Sequence, residues 1–456
     1  MKSIAWLLVA AAGCSFSPGA ARIQDSQVPP QIDGKTPDGP IDYDDAKVYM
    51  DAKVYDDAKI YDDAKIYDDA KIYDDAKIYD DAKVYMDAKV YEDAKVYEDA
   101  KVYMDAKVYM DSPTTYCYGD PTGPAYVCLS TQPTGTLTAS TAIDTDTGCA
   151  ANVMTSVPTS VCVVAYASIA LPSGNTISAS GSKPLILIGD TSIDIESGAT
   201  VDAGSHVGGQ TGAGSPGSTC NAGTTATSGG GGPGGSFNGK GGDGGGSTAG
   251  TAGGTVTAPT QLRGGCPGGA GADSTGFTGS TDKGAPGQGG GGVALLSNTT
   301  NGTITVDGNI DAGGGGGQGG VAGNDQGGGG GGAGGMIVIS APTFAGAGAV
   351  FVPGGGGGQG GLTPMVGTAT DGGNGADPSA GSLATGAAGG NTANAGATGG
   401  NGSKSGTAAN NKNGTAGNEL TNPHDVGQGG GGGGGGYIVV QAATQTFNGT
   451  YSPPKQ

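Results

Sequence analysis

The chain has 456 residues, 99 of them glycine, and its acidic residues outnumber the basic ones 41 to 21, for a net charge of -20. This charge excludes a nucleic-acid-binding protein, because binding DNA or RNA requires neutralisation of phosphates. The glycines follow no three-residue period, which excludes collagen. So many glycines also weaken helices, which excludes an ordinary helical or doubly wound enzyme. Composition therefore indicates an unusual architecture and does not indicate a reaction.

Residues 1–14 are predicted to be a lipoprotein-type signal peptide. Lys2 precedes an apolar run over 4–12 that is too short to span a bilayer. The stretch Ala11-Ala12-Gly13-Cys14 resembles the lipobox of bacterial lipoproteins, in which the cysteine is lipidated and becomes the mature N-terminus. With Ser15 next, this resemblance implies a secreted protein anchored at the outer membrane of a Gram-negative cell. A plain signal peptide cleaved near Cys14 is the alternative.

Six cysteines remain once Cys14 is assigned to a lipid. An even number suits three disulfides in an oxidising compartment. A zinc site is a weaker alternative to disulfides for these cysteines, because no CxxC occurs and both histidines are far from any cysteine pair in the sequence. Short loops favour two pairs and leave a third: Cys117–Cys128, Cys149–Cys162 and Cys220–Cys266.

After a linker over 15–44, residues 45–110 contain eleven copies of Asp-Ala-Lys-(Val/Ile)-Tyr-(Asp/Glu/Met). A period of six gives no constant helical face. We therefore expect a solvated, low-complexity spacer or stalk. A transient salt-bridged helix, a strand and a hexapeptide solenoid are the alternatives, the last because Val/Ile and Ala recur four residues apart. Calcium binding by the Asp-Asp pairs is disfavoured, since nothing there enforces an oxygen cage.

The remaining chain is predicted to be a disulfide-stapled segment, 111–160, followed by a β domain, 161–456. Short β-branched runs fill 161–203, and a similar unit returns after glycine tracts at Val293, Met336 and Tyr437. This pattern resembles a right-handed parallel β-solenoid of the pectin-lyase-like kind. A β-sandwich is the alternative, although it would need unusually long excursions between strands.

The excursions are glycine-rich insertions at about 206–290, 313–335 and 353–436. Two interpretations stay open. Glycine tracts commonly act as flexible linkers. Polyglycine also forms extended helices, which could pack side by side in a bundle because they carry no Cβ.

No catalytic residues and no cofactor are predicted. Enzymatic β-helices use clustered carboxylates with basic partners, whereas the aspartates here alternate with inward-facing aliphatic residues. We expect a surface ladder that is solvated or at most a weak Ca²⁺ site. Gly372 to Asp377 resembles a single RTX-type calcium repeat, but Ser379 replaces its apolar residue. The ladder comprises Asp194, Asp202, Asp307 and Asp311.

Several motifs resemble features of glycine-rich outer-membrane lipoproteins of myxobacteria: Cys14-Ser-Phe-Ser, the Asp-Ala hexads, Cys117-Tyr-Gly, Ile143-Asp-Thr-Asp-Thr147 and Arg263-Gly-Gly-Cys266-Pro. The resemblance covers nearly the whole chain and implies architecture and location, without a biochemical role.

We expect a non-catalytic, surface-displayed lipoprotein, with a structural or adhesive β-solenoid on a flexible acidic stalk. Its expected partners are the membrane, through the lipid, and extracellular matrix or polysaccharide. The alternative is a polysaccharide-binding or polysaccharide-degrading β-helix. Scarce aromatic residues disfavour it, since 117–456 holds five tyrosines and no tryptophan.

Overall fold

The structure is a computed structural model in which the chain divides into two compact units, Met1–Ser112 and Pro113–Gln456. Cys14 and most of the linker lie outside the described residues. Within the described part, the fold is mainly β with parallel sheets, and no helix there has the length and apolar character needed to cross a membrane. The described residues are short strands between 42 and 108, and then 116–149, 161–215, 220–221, 223–274, 283–298, 300–322, 325–362, 369–393, 395–404, 412–420 and 427–456.

In the first unit, the hexads form short strands at their Lys-(Val/Ile) positions. Between Asp42 and Val108, the described strands assemble into three four-stranded parallel sheets. Lys47 pairs with Lys65 and Lys65 with Lys83, so each strand pairs with the strand three hexads further along. This register agrees with the stacked hexapeptide alternative. The strands are β1 (Asp42–Tyr43), β2 (Lys47–Val48), β3 (Lys53–Val54), β4 (Lys59–Ile60), β5 (Lys65–Ile66), β6 (Lys71–Ile72), β7 (Lys77–Ile78), β8 (Lys83–Tyr85), β9 (Lys89–Val90), β10 (Lys95–Val96), β11 (Lys101–Tyr103) and β12 (Lys107–Val108).

The second unit begins with an antiparallel hairpin and continues with parallel strands. The hairpin is β13 (Tyr116–Gly119) and β14 (Tyr126–Leu129). A 3₁₀ turn, Ala380–Ser382, lies in the third insertion. The parallel strands are β15 (Thr136–Leu137), β16 (Thr141–Asp144), β17 (Cys162–Leu171), β18 (Thr176–Ser180), β19 (Leu185–Ile195), β20 (Thr200–Asp202), β21 (Gly292–Ser297), β22 (Thr303–Val306), β23 (Asn309–Asp311), β24 (Met336–Gly346), β25 (Ala349–Phe351), β26 (Tyr437–Phe447) and β27 (Thr450–Ser452).

The parallel strands form two sheets. In the large sheet the order is β15, β17, β19, then β21 with β22, then β24 and β26. In the small sheet it is β16, β18, β20, β23, β25 and β27. The long strands β19 and β24 each pair with β21 through their first half and with β22 through their second half. β21 and β22 therefore lie end to end between β19 and β24. The pairings among these four strands form a closed cycle, from β19 to β21, β24, β22 and back to β19.

An aliphatic core lies between the two sheets. Leu185 and Leu187 of β19 face this core, while Ile186 and Ile188 face the opposite side of the large sheet. The β13–β14 hairpin covers that opposite side, with Val127 fully buried. Because both faces of β19 are buried over 185–188, this part of the strand is a continuous apolar run, whereas its second half, up to Ile195, includes polar and exposed residues. Burying each such side chain contributes about 1.5–3 kcal/mol.

Glycine tracts extend from the ends of the strands. One tract leaves β23 at 312–320 and returns at 327–335 to begin β24, and a second pair, 353–361 and 427–436, joins β25 to β26. The structure distinguishes between the two interpretations of these insertions: it agrees with the ordered bundle and not with flexible linkers. The tracts lie side by side and are joined by backbone hydrogen bonds. We call this assembly the glycine bundle; it comprises the described residues of 228–252, 264–291, 312–335, 353–404, 412–420 and 427–436.

The tract 327–335 lies at the centre of the glycine bundle. Its amides donate in turn to three different tracts, and the direction repeats every third residue, which is the period of the polyproline II helix. Three further tracts donate to its carbonyl oxygens. Buried backbone groups must be paired in this way when water is excluded. One turn shows the donors: Gly330 to Gly269 at 2.9 Å, Gly331 to Gly431 at 2.9 Å and Gly332 to Gly315 at 2.8 Å.

The spacing of the tracts requires glycine. A Cβ added to Gly332 would lie 1.9 Å from the carbonyl oxygen of Gln288, and one added to Gly330 would lie 1.9 Å from that of Pro233. Neither contact is sterically allowed, and both involve backbone atoms that cannot rotate away. The high glycine content therefore follows from backbone packing as well as from turns.

Three disulfides join the six cysteines as two short-loop pairs and the remaining pair: Cys117–Cys128, Cys149–Cys162 and Cys220–Cys266. The first links β13 to β14, and the second ends at the first residue of β17. The third spans a sequence separation of 46 residues inside the first insertion. Closing a loop of this length stabilises the folded state by about 4 kcal/mol in the chain-entropy account.

Candidate functional site

His206 lies where the small sheet gives way to the glycine bundle. Its Nε2 atom is 3.1 Å from Oδ2 of Asp202, and its Nδ1 atom is 3.5 Å from Oδ2 of Asp377. The carboxyl of Asp311 interacts electrostatically with all three of these side chains. We call the four residues Asp202, His206, Asp311 and Asp377 the His206 cluster.

Two members of the His206 cluster are set by the ends of strands. Asp202 ends β20, Asp311 ends β23, and the two are register partners in the small sheet. Each carboxyl accepts a hydrogen bond from the backbone N–H two residues later, Gly204 at 2.9 Å and Gly313 at 2.7 Å. Aspartate favours such local turns. Aspartate at positions 202 and 311 therefore stabilises the turn by which each strand leads into a glycine tract.

Asp377 reaches the cluster from the third insertion. Its Oδ1 accepts the N–H of Val207 at 2.9 Å and that of Gly316 at 2.8 Å. Val207 lies in the first insertion and Gly316 lies in the second. Hydrogen bonds from N–H groups to an ionised carboxylate are stronger than those between neutral groups. One carboxylate thus ties together all three insertions.

The environment of the His206 cluster changes how it titrates. Asp311 is 8% exposed. Burial, followed by the neighbouring Asp202, raises the pKa of Asp311 to about 8. The hydrogen bond to Asp202, followed by that to Asp377, raises the pKa of His206 to about 10, although burial opposes this change. Both shifts favour the protonated form, which is the neutral acid for Asp311 and the imidazolium for His206.

The predicted ladder of four aspartates lies as two pairs in the structure. Asp202 and Asp311 face each other across the small sheet, whereas Asp194 belongs to the large sheet. Burial, and then the carboxylates of Glu196 and Asp307, raises the pKa of Asp194. Within the described part of the chain, no group of three or more His, Cys, Asp or Glu side chains is arranged to hold a metal ion. Neither pair forms a cation cage there.

A separate cavity of about 400 Å³ lies beside the Cys220–Cys266 disulfide. Glycine backbone forms much of its wall, together with residues such as Ser236 and Lys283. Of the described residues that line it, only Lys283 is ionisable. General acid–base catalysis requires titratable groups that converge on a reacting atom. The described lining supplies one such group, Lys283, whose Nζ lies 4.0 Å from Oδ2 of Asp273, a residue outside that lining.

The sequence predicts Asp202 and Asp311 as members of an acidic ladder, but it does not place His206 or Asp377 beside them. A signal for His206 was available, because it follows Asp202 by four residues at the end of a strand. Asp377 ends the stretch that resembles a calcium-binding repeat, but nothing local indicates its position beside His206, since it meets Val207 across 170 residues of chain. No family model, curated protein or solved structure matches the chain.

Proposed function

We propose that the protein is a non-catalytic lipoprotein displayed at the surface of a Gram-negative cell. Cys14 carries the lipid, the hexad repeat acts as the stalk, and the second unit serves a structural or adhesive role in contact with extracellular matrix or polysaccharide. Three disulfides in the second unit support an oxidising location. The lipobox-like sequence before Cys14 supports the anchor.

We further propose that the second unit is a right-handed parallel β-solenoid. The recurrence of strands supports this proposal: each row places one strand or strand pair in the large sheet and one short strand in the small sheet, in the same order. Register partners such as Ile193 and Ile304 continue the same aliphatic column from one row to the next. Stacked rows bury apolar columns that a single row could not bury.

The observation that carries the functional proposal is the ordered glycine bundle. Many of its backbone donors and acceptors are paired with other tracts, which leaves little flexibility for a moving lid or an induced-fit site. The proposed structural or adhesive function is therefore assigned to the outer surface of the second unit. A rigid unit on a stalk, without a convergent catalytic pair among its described cavity-lining residues, suits contact or coat building better than chemistry.

Fractionation of cells that express the full chain tests the anchor. Cys14→Ala should move the protein from the membrane fraction into the soluble fraction or the medium, whereas Ser15→Ala should leave it in the membrane fraction. External protease should remove the second unit from intact wild-type cells. An unchanged location in the Cys14→Ala variant would overturn the lipid anchor, and full protection from protease would overturn outward display.

A further inference from the structure

The large sheet ends in an open edge at β26. β26 pairs with β24 on one side, and no further strand among the described residues pairs with its other side. Its eleven residues, Tyr-Ile-Val-Val-Gln-Ala-Ala-Thr-Gln-Thr-Phe, include no charged residue, no proline and no glycine. Edge strands of monomeric proteins are normally shortened, charged or interrupted by proline to prevent pairing. The sequence of β26 carries none of these protections, and the last residues of the chain reach this strand through Gln456, which contacts Ile438, and through the Lys455 side chain, which contacts Gln445.

The opposite edge of the same sheet is protected. It is formed by β15, which has two residues, and Pro133 lies three positions before it. The large sheet is therefore closed to pairing at β15 and open to it at β26. The difference within one sheet indicates that the β26 edge is a pairing surface.

The backbone groups available on this edge can be identified. The carbonyl oxygen of Ile438 accepts a hydrogen bond from Gln456 N at 2.9 Å, so Ile438 directs its backbone away from β24. Because the direction alternates along a strand, Val440, Ala442 and Thr444 direct theirs the same way. No hydrogen bond from a described residue reaches the outward groups of these three. Side chains 443–446 are exposed.

The aliphatic core is also incompletely covered at its end, where β26 and β27 form the last row of strands. Val440, Ala442 and Phe447 are only partly buried where they pack against the core. Phe447 stacks on Phe344 at 4.8 Å and lies 4.9 Å from Tyr451. A terminal row of stacked repeats needs a polar cap to stay solvated. Here a second strand laid against β26 would bury these groups further.

We propose that β26 pairs with β26 of a second copy of this chain, in an antiparallel two-fold arrangement centred on Ala442. A two-fold interface requires a surface that complements itself. Ala442 then faces its own counterpart, and Val440 faces Thr444, a favourable pair of β-branched residues. Since 437–447 contains no charge, the pairing brings no like charges together. Gln456 covers Ile438 and limits the paired segment to the residues that follow it.

Sedimentation of the purified, disulfide-bonded full chain over a range of concentrations tests the pairing. The wild type should reach twice the mass of one chain. Thr444→Pro removes an outward N–H without removing a bond to β24, so it should raise the dissociation constant at least about tenfold, since each lost 1.4 kcal/mol is tenfold. Thr444→Val keeps the N–H and should remain a dimer. A wild type that stays monomeric, or a Thr444→Pro variant that still dimerises, overturns the proposal.

Hydrogen exchange supplies a readout that needs no variant. The amides of Val440, Ala442 and Thr444 should gain protection as the concentration of the wild type rises. The amides of Val439 and Gln441, which face β24, should be protected at every concentration. Protection of the outward amides that does not depend on concentration would show that another part of the same chain covers the edge, and this would overturn pairing between copies.

Discussion

The large sheet and the glycine bundle are both densely packed, but they are stabilised by different parts of the chain. In the large sheet, aliphatic side chains such as Leu187 and Leu295 are fully buried, and much of the favourable free energy comes from their removal from water. In the glycine bundle, tracts approach until backbone touches backbone, as at Gly332. There, order depends on hydrogen bonds between tracts and on the absence of Cβ atoms.

This difference predicts opposite sensitivities to substitution. The large sheet should be damaged by loss of side-chain atoms, because a cavity remains. The glycine bundle should be damaged by gain of a single atom, because the neighbouring tract is displaced. Of the three disulfides, Cys220–Cys266 restrains the glycine-rich first insertion, whereas the other two lie at the β13–β14 hairpin and at the start of β17.

The largest effect is expected from removing a core side chain of the large sheet. Leu187→Ala should lower the free energy of unfolding by about 2–5 kcal/mol, because Leu187 is fully buried between the sheets. Chemical denaturation followed by circular dichroism measures the change. Leu420→Ala is the matched control, because Leu420 is 42% exposed, and it should change stability little. Equal losses of stability in both variants would show that Leu187 does not pack in the core.

The converse substitution adds one methyl group to the glycine bundle. Gly332→Ala should lower the free energy of unfolding by about 1–3 kcal/mol through overpacking, because the new Cβ would meet the carbonyl oxygen of Gln288. Gly254→Ala is the control, since its Cβ would lie 3.8 Å from the nearest atom, Asn221 Nδ2. If Gly332→Ala is as stable as Gly254→Ala, the central tract is a flexible linker and the contrast between the two regions fails.

The sequence predicts the large sheet better than the glycine bundle, for a physical reason. Runs such as Leu185 to Ile188 carry a side-chain pattern that indicates a strand buried on both faces. A glycine tract has no side chains and hence no pattern, so the same letters are compatible with a linker and with a bundle. Which tracts meet is set by contacts between distant segments, as between Gly331 and Gly431.

The candidate site, the His206 cluster, could be predicted from the sequence only in part. Asp202 and Asp311 stand at the ends of strands, where a local turn leads into a tract. Their pairing follows from the register of the small sheet. The link to Asp377 depends on the path of the third insertion through the glycine bundle, and nothing near Asp377 in the sequence specifies that path.

The last prediction concerns pH, and it tests the junction between the two regions. The folded pKa of His206, about 10, lies above its ordinary 6.5, so its stabilisation is complete below 6.5 and is lost as the pH rises through 10. Asp311 is neutral in the folded state up to about 8, above its ordinary 3.8. Its contribution is therefore lost as the pH rises from 3.8 through 8. Both groups make the protein less stable at alkaline pH.

The two windows overlap only in part, so variants can separate them. Thermal unfolding of wild type should show a midpoint that falls from pH 4 to 10. Of the two groups, Asp311 contributes below pH 6.5 and His206 contributes above pH 8. In Asp311→Asn the unfolding midpoint should depend less on pH below 6.5, because the amide mimics the neutral acid. In His206→Gln it should depend less on pH above 8. The His206 effect is reduced by solvent screening, since its side chain is 37% exposed. Curves that stay parallel to wild type in both variants would show that the cluster does not couple the small sheet to the glycine bundle.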